Sequence, residues 1–442
     1  MPEHRSLVGI RREDKNRWER RAPLTPGQVA TLRDKAGLDF LVQSSDIRVF
    51  PDDEYREAGA DVAEDLANCD LVLGVKEMPA GFFRSRGSYC FFAHVIKGQR
   101  YNMGMLARLL ELDCNLFDYE KMTEDDGRRL VFFGRYAGLA GAVDTLCGLG
   151  LRLAARGLDT PFAALEPAHR YGSVAAALKT VAGTGQRLRR EGIPPGLAPL
   201  VIGVAGYGHV GRGALEVLDA LGAEAVEPED VPGLVSVARA DRVYRTVYRE
   251  QHLAEPLDPG AAFELQEYYD HPDRYRGAFE DRLPYLTVLL NCIYWDRRYP
   301  RLVTRDWLRG EMRKPGGPRL LVIGDISCDV GGAIEANVRV TDPGEPFYAY
   351  DPATGTERAG VGGPGVVVMA TDNLPCEFPA DASEEFGRTL VDFVPRMARV
   401  DFAREFEDLD LPGPLRRALI VHRGRLTPDH AGLVRYLEDQ RS

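Results

Sequence analysis

Cysteine is scarce: seven in 442 residues, an odd number with no CxxC pair. That excludes a disulfide framework and a zinc-finger reading. An excess of basic charge is missing too. The 56 Lys and Arg stand against 67 Asp and Glu, net −11, so no nucleic-acid partner is expected, because a basic face is that activity's electrostatic footprint. No apolar run is read as reaching the ~20 residues a membrane helix needs, and no membrane partner is expected. HExxH motifs, Cys/His clusters, repeats and low-complexity tracts are all absent, and no metal is expected. Met1–Ile10 is polar and runs straight into a strand-like segment, so it does not read as a secretory leader. What remains is 44% hydrophobic residues with 46 Gly and 29 Pro. That composition predicts a soluble α/β protein of a reducing, cytoplasmic compartment, long enough for two or three domains.

Short apolar runs alternate with amphipathic stretches. Leu7–Ile10, Phe40–Gln43, Leu71–Val75 and Cys90–Ala93 read as buried strands, and Thr25–Lys35 and Tyr101–Leu112 carry helical spacing. This βαβα order predicts a parallel sheet covered on both faces. Gly138–Arg156, rich in Ala, Gly and Leu, reads as one closely packed helix. Gly192–Pro199 is a loop that opens a second α/β unit, with strands at Leu200–Val204, Leu286–Asn291 and Leu320–Asp325. Pro228–Pro284 reads as loops and short helices outside that sheet, and Glu384–Ala398 and Gly432–Gln440 as helices. Two α/β domains with a ligand cleft between them are expected.

Leu200–Val204 runs into Gly206-Tyr-Gly208-His-Val-Gly211 and then the helical run Ala214–Leu221. Alone, GxGxxG is a weak signal; between a strand and a helix it is the context that a dinucleotide fingerprint requires. Gly206 allows the tight turn, Gly208 lets the backbone approach a pyrophosphate, and Gly211 lets helix and strand pack closely. An acid ~20 positions on binds the adenosine ribose. Glu227 is the candidate and favours NAD over NADP, although Glu229 and Asp230 lie close by.

The first domain places charges just past its apolar runs: Lys76-Glu77, His94 with Lys97, and Glu120, with Arg128-Arg129 before Leu130–Phe133 and Arg20-Arg21 near the start. Taken singly, each reads as a solvated surface charge, and His94 equally as a core histidine. Their recurrence past parallel strand ends, which share one sheet edge, is the informative feature. His4, His169, His252, His271, His422 and His430 show no partner spacing and are expected at the surface.

Gly9-Ile-Arg-Arg-Glu-Asp, Glu19-Arg-Arg-Ala-Pro-Leu-Thr-Pro26, Leu73-Gly-Val-Lys76, Phe92-Ala-His94-Val-Ile-Lys97, Asp118-Tyr-Glu120-Lys-Met and Phe133-Gly-Arg-Tyr-Ala-Gly-Leu-Ala-Gly141 occur in that order. Asn291-Cys-Ile-Tyr-Trp295, Gly324-Asp-Ile-Ser-Cys-Asp-Val-Gly-Gly332 and Thr371-Asp-Asn-Leu-Pro375 follow. Together they resemble the lysine-ketoglutarate reductase family, the lysine-forming saccharopine dehydrogenases that include the reductase half of aminoadipic semialdehyde synthase. More distantly they resemble the alanine dehydrogenase/transhydrogenase superfamily. The chain is expected to carry the reductase part without the glutamate-forming half.

The resemblance implies reductive condensation of lysine with 2-oxoglutarate to saccharopine, or its reverse, with NAD(P)H. It implies Lys76 and His94 as an acid/base pair, and Arg21, Lys97 and Arg129 as cations for the dicarboxylate. Glu77 and Glu120 would line the amine side, and Phe133 would touch substrate. For the cofactor it implies Gly208, His209, Tyr294, Asp325, Ile326, Ser327 and Thr371–Leu374 (Asp372, Asn373 and Leu374 among them), with Asp329 and Asn373 near the nicotinamide. The reductase halves are expected to use NADPH, against the reading of Glu227, so the choice between NAD and NADP stays open. Fungal members carry a cysteine in the glycine loop; here that stretch reads His209-Val210, leaving Cys292 without its possible disulfide partner. The direction of the Lys76 pKa also stays open, since neighbouring cations lower it and Glu77 raises it.

The expected architecture is two Rossmann-like domains with parallel sheets. Residues 1–135 with 371–442 would form the substrate domain and 136–370 the NAD(P)-binding domain, with hinges at Arg135–Gly138 and Ala370–Pro375. An opine- or alanine-dehydrogenase-like enzyme using another amine donor is the alternative, and a non-catalytic nucleotide-binding sensor is the alternative of another class.

Overall fold

The computed structural model describes residues 5–237 and 239–438; His4 and the last two residues of the expected Gly432–Gln440 helix lie outside them. The chain divides into two compact units, one running through Phe133 and resuming at Pro379, the other Gly134–Phe378.

The first unit is built on an eight-stranded sheet in the order Arg425–Leu426, Leu419–His422, Asn115–Asp118, Ser88–Phe91, Leu71–Leu73, Leu7–Ile10, Asp39–Gln43, Asp61–Ala63. The last six are mutually parallel, and the two C-terminal strands join antiparallel. The strands read as short apolar runs because both faces are covered. Alternation divides them between two cores: Val8, Ile10, Leu71, Leu73 and Cys90 on one side, Val72, Tyr89 and Phe91 on the other. The expected strands fall within two residues of those observed. Thr25 caps the Pro26–Ala36 helix reciprocally with Gln28, and Gly37 ends it at φ +62.

The second unit carries its own eight-stranded sheet: Thr356–Ala359, Phe347–Asp351, Val366–Met369, Val322–Asp325, Val288–Asn291, Leu200–Ala205, Val243–Tyr248, Glu224–Ala225. Six of these are parallel, from Val366–Met369 onward.

Four expectations need correction. Pro228–Pro284 is not wholly outside the sheet, because Val243–Tyr248 pairs over six residues with the glycine-loop strand. Its Val-Tyr-Arg-Thr-Val-Tyr pattern is β-branched and aromatic, and the half-buried Arg245 pairs with Asp219 at 2.6 Å. The Gly134–Ala155 helix, at 22 residues and mean hydropathy 1.3, does reach membrane-spanning length and composition, with 83% of that window buried in the second unit. Residues 371–378 belong to the second unit rather than to the tail. Buried Leu374 and Glu377 hold them there: Leu374 packs by Gly141, and Glu377 accepts the N–H of His169 at 3.1 Å. The expected Glu384–Ala398 helix is two pieces, Pro379–Leu390 and Val394–Met397, with Pro395 at the start of the second.

Candidate active site

Four neighbouring parallel strands of the first unit end on one edge, and the chain just beyond each carries an ionisable side chain. Glu13 follows Leu7–Ile10, Lys76 and Glu77 follow Leu71–Leu73, His94 follows Ser88–Phe91, and Glu120 follows Asn115–Asp118.

His94 Nδ1 lies 3.3 Å from Glu77 Oε1, and Lys15 Nζ lies 3.2 Å from the same oxygen. Burial works to raise the Glu77 carboxyl, but the His94 hydrogen bond and the charges of His94 and Lys15 carry it down to about 2. His94 itself stands at φ +48, a left-handed conformation that costs a non-glycine residue on the order of 1–3 kcal/mol. The amide of Asn102 holds that turn by donating to the carbonyls of Ala93 (3.0 Å) and His94 (3.3 Å). The imidazole stacks on Phe92, with centroids 6.1 Å apart.

Lys76 is the second ionisable group of this edge. Burial lowers its pKa first, and Arg21 and Lys15 lower it further, while Glu19 and Glu77 oppose. The structure thus supplies the direction that sequence left open. Among the described residues, none forms a hydrogen bond or ion pair with the Lys76 ammonium. The main chain beneath is pinned by Glu13, whose carboxyl accepts the N–H groups of Val75 (2.7 Å) and Lys76 (3.0 Å). Burial, aided by the charge of Glu19, raises Glu13 to about 7 against those two N–H groups and Arg11.

Arg21 is buried and donates from Nε (2.8 Å) and Nη2 (2.5 Å) to the two oxygens of Glu19, itself buried. Its guanidinium lies 4.2 Å from the Phe133 ring centroid, and that ring stacks on Phe386 at 4.5 Å. Arg129 pairs with Glu120 at 2.5 Å, and Lys97 is exposed in the turn beyond His94. Glu13, Glu19 and Asp118 escaped the sequence reading. Asp118 closes its strand fully buried, and burial raises it to about 7, with Glu120 adding to the effect. Acid on an apolar run's last position was the available signal.

In the second unit, Leu200–Ala205 passes into the glycine loop and the His209–Leu221 helix. Gly206 adopts φ +100, and a Cβ on Gly211 would fall 2.4 Å from the Gly206 carbonyl oxygen, so neither position admits a side chain. Gly208 borders open space, where a backbone can meet a pyrophosphate. A cavity of about 370 Å³ adjoins Gly206–Gly208 and is lined by Glu250, Tyr269, Ile293, Tyr294 and Trp295. Of the expected cofactor residues, Gly206, Gly208 and Tyr294 line this cavity, and His209 opens the helix that follows the loop.

Glu227 is misplaced as the ribose acid. The Glu224–Ala225 strand pairs with Val243–Tyr248, not with the glycine-loop strand, and Glu227 is exposed one strand removed from the loop. Glu229 instead pairs with His252 at 3.2 Å. The acid beside the loop is Glu250, which accepts the hydroxyls of Tyr207 (3.2 Å) and Tyr269 (2.8 Å). It follows the strand adjacent to the glycine-loop strand, the topological position of a ribose acid; counting along the chain missed it because two strands intervene out of order.

Asp325 also departs from its expected contact. It is 1% exposed, and its two oxygens accept the amides of Asn291 (2.8 Å) and Asn337 (2.7 Å), so the side chain orders strand ends. Ile326 and Leu374 are buried beside Gly141, Ser327 donates to the Ile293 carbonyl at 2.5 Å, Asn373 is half-buried, and Asp329 and Asp372 are exposed. Cys292 is buried, and all seven cysteines are free thiols, with Cys69 and Cys328 only partly buried. Of the histidines expected at the surface, His271 is exposed, but His422 and His430 are buried against the carbonyls of Phe402 and Arg417, and His169 and His252 are largely covered.

Two mostly parallel sheets, one bearing a strand–glycine loop–helix and the other an ionisable strand-end cluster, define a dinucleotide-binding α/β protein. The alanine dehydrogenase/PNT N-terminal domain matches residues 9–140, and the C-terminal domain of the same family matches residues 173–429. The chain belongs to the alanine dehydrogenase/PNT family. It is 38% identical to an alpha-aminoadipic semialdehyde synthase from Arabidopsis thaliana over 95% of this chain, yet spans only 40% of that relative's length. It is 26% identical to a lysine-forming NAD(+) saccharopine dehydrogenase from Yarrowia lipolytica, over 87% of this chain and 90% of that one. A solved L-alanine dehydrogenase shares the fold, with TM-score 0.60 and 19% identity over 98% of this chain and 99% of the other.

Proposed function

We propose that this protein joins the ε-amine of L-lysine to the ketone of 2-oxoglutarate and reduces the product to saccharopine, or runs that reaction in reverse, with NAD(P)H. The observation that carries the reading is the Lys76–Glu77–His94 cluster: a buried ammonium with lowered pKa on the same strand-end edge as an imidazole oriented by an ionised carboxylate. The Yarrowia relative, which the chain matches over nearly its whole length, supports the choice of substrates.

Condensation needs the attacking amine neutral and the leaving hydroxyl protonated. Glu77 stays ionised and accepts the Nδ1–H of His94, which leaves Nε2 as the ring nitrogen able to take the amine's proton. Lys76 holds its proton less tightly than an exposed lysine and can give it to the departing hydroxyl. Lys97 and Arg129 supply positive charge for the keto-acid carboxylates, and Glu120 and Glu77 supply negative charge for the amine. Arg21 contributes mainly through its field, since Glu19 already takes two of its donors. When bound, the reduced nicotinamide supplies the electron pair that reduces the imine carbon. Gly206, Gly208 and His209 would hold its pyrophosphate, and Glu250 an adenosine ribose.

The test is an amine-donor panel with 2-oxoglutarate and each reduced dinucleotide, followed as loss of reduced-nicotinamide absorbance. Turnover with lysine well above that with ornithine, alanine or ammonia is expected. Equal or greater turnover with alanine or ammonia would replace lysine as donor, and binding of dinucleotide without turnover on any amine would make the protein a sensor.

A further inference from the structure

Five non-glycine residues among those described adopt positive φ, and three of them, Arg86 (+62°), Asp113 (+55°) and Arg423 (+49°), line one cavity of about 960 Å³ in the first unit. Each sits in a different turn, and main-chain bonds lace the turns together. Arg86 N–H donates to Leu112 O at 2.7 Å, Gly424 N–H to Cys114 O at 2.9 Å, and Arg423 N–H to Asn115 Oδ1 at 2.9 Å. Such turn positions favour Gly, Asn or Asp, which Asp113 satisfies, whereas Arg86 and Arg423 hold the conformation at a cost. Buried Ser88 and Asn115 form a polar floor and open the strands whose other ends lead to His94 and Glu120. The cavity therefore lies at the edge opposite the Lys76–His94 cluster.

Its charge is of both signs. Arg423 is engaged by Glu405 at 3.4 Å and by the Ala403 carbonyl at 3.3 Å, while Arg86, Arg425 and Asp113 are exposed at the cavity and their charged groups have no hydrogen bond or ion pair among the described residues. We infer a second ligand site here, for an acidic α-amino acid. Arg86 and Arg425 pair with its two carboxylates, and Asp113 takes its ammonium.

The experiment is calorimetric titration of the whole chain with L-glutamate, glutarate and inorganic phosphate. Wild type is compared with Arg86→Gly/Arg425→Ala, Asp113→Gly and Arg129→Ala. Glycine tolerates positive φ at positions 86 and 113, so these variants keep the turns. The wild type should bind L-glutamate, and Arg86→Gly/Arg425→Ala should weaken it at least tenfold while dinucleotide affinity, and the lysine turnover of the proposed function, stay unchanged. Asp113→Gly should weaken L-glutamate severalfold while leaving glutarate as it was. Three results overturn the inference: no binding by the wild type, phosphate binding as tightly as L-glutamate, or an event lost in Arg129→Ala and kept in Arg86→Gly/Arg425→Ala, which would assign the ligand to the strand-end cluster.

Discussion

The imidazole of His94 shares the Glu77 carboxylate with Lys15: one oxygen, Oε1, lies 3.3 Å from His94 Nδ1 and 3.2 Å from Lys15 Nζ. Glu77 thus orients the ring while remaining ionised. Replacing His94 by Gln or Lys76 by Met should lower kcat by ~10²-fold or more, as expected on loss of a general acid or base. Glu77→Ala should cost about tenfold by loosening the ring. In all three, the dinucleotide Kd should stay within about twofold, measured by fluorescence titration. A matching loss of dinucleotide affinity would make these residues structural.

Arg21 and Glu19 form a buried pair, so removing one partner strands the other's charge. Arg21→Ala should cost on the order of 3–5 kcal/mol of stability, visible as a drop of several degrees in thermal midpoint. Glu19→Gln/Arg21→Met should recover most of that drop. The KM for 2-oxoglutarate should remain raised in both variants, because the positive field beside Lys76 is gone.

Glu250 and Glu227 separate topology from chain counting. Glu250→Ala should weaken NADH about tenfold and shift the NADPH-to-NADH affinity ratio toward NADPH, because a carboxylate at the ribose repels a 2′-phosphate. Glu227→Ala should change either Kd less than twofold. Paired titrations with both dinucleotides read the difference.

Glu13 links the site to stability. Burial raises it from 4.5 to about 7, so the folded state holds its proton more tightly than the unfolded chain does. The stability this gives is full below pH 4.5 and is lost as pH rises to about 7. Glu13→Gln removes that dependence and keeps one carbonyl oxygen as acceptor, so it retains one of the two N–H bonds, which Glu13 accepts on separate oxygens. The thermal midpoint of Glu13→Gln relative to wild type should therefore climb between pH 5 and pH 8, by the equivalent of roughly 2–3 kcal/mol.

Much of this architecture was legible because buried parallel strands are nearly continuous apolar runs. Leu7–Ile10, Leu71–Leu73 and Leu200–Ala205 announced themselves, and the acids and bases past their ends followed. Val243–Tyr248 did not, since Arg245 and flanking charges mask its alternation, and missing it left Glu250, the acid beside the glycine loop, unread. Glu19 gave no signal of its own, because its burial depends on Arg21 folding over it. Asp325 matched a contact motif, yet its amide partners arrive from Asn291 and Asn337, which no local pattern joins to it.

The central claim is that a lysine ε-amine and a keto acid become one molecule at the Lys76–His94 edge. Mass spectrometry of a reaction containing lysine, 2-oxoglutarate and reduced dinucleotide tests it most directly. The account predicts a single new species equal to lysine plus 2-oxoglutarate, less one water and plus two hydrogens, formed ~10²-fold or more slowly by Lys76→Met or His94→Gln. Glutamate appearing in its place, or no new species from active dinucleotide-binding protein, would contradict it.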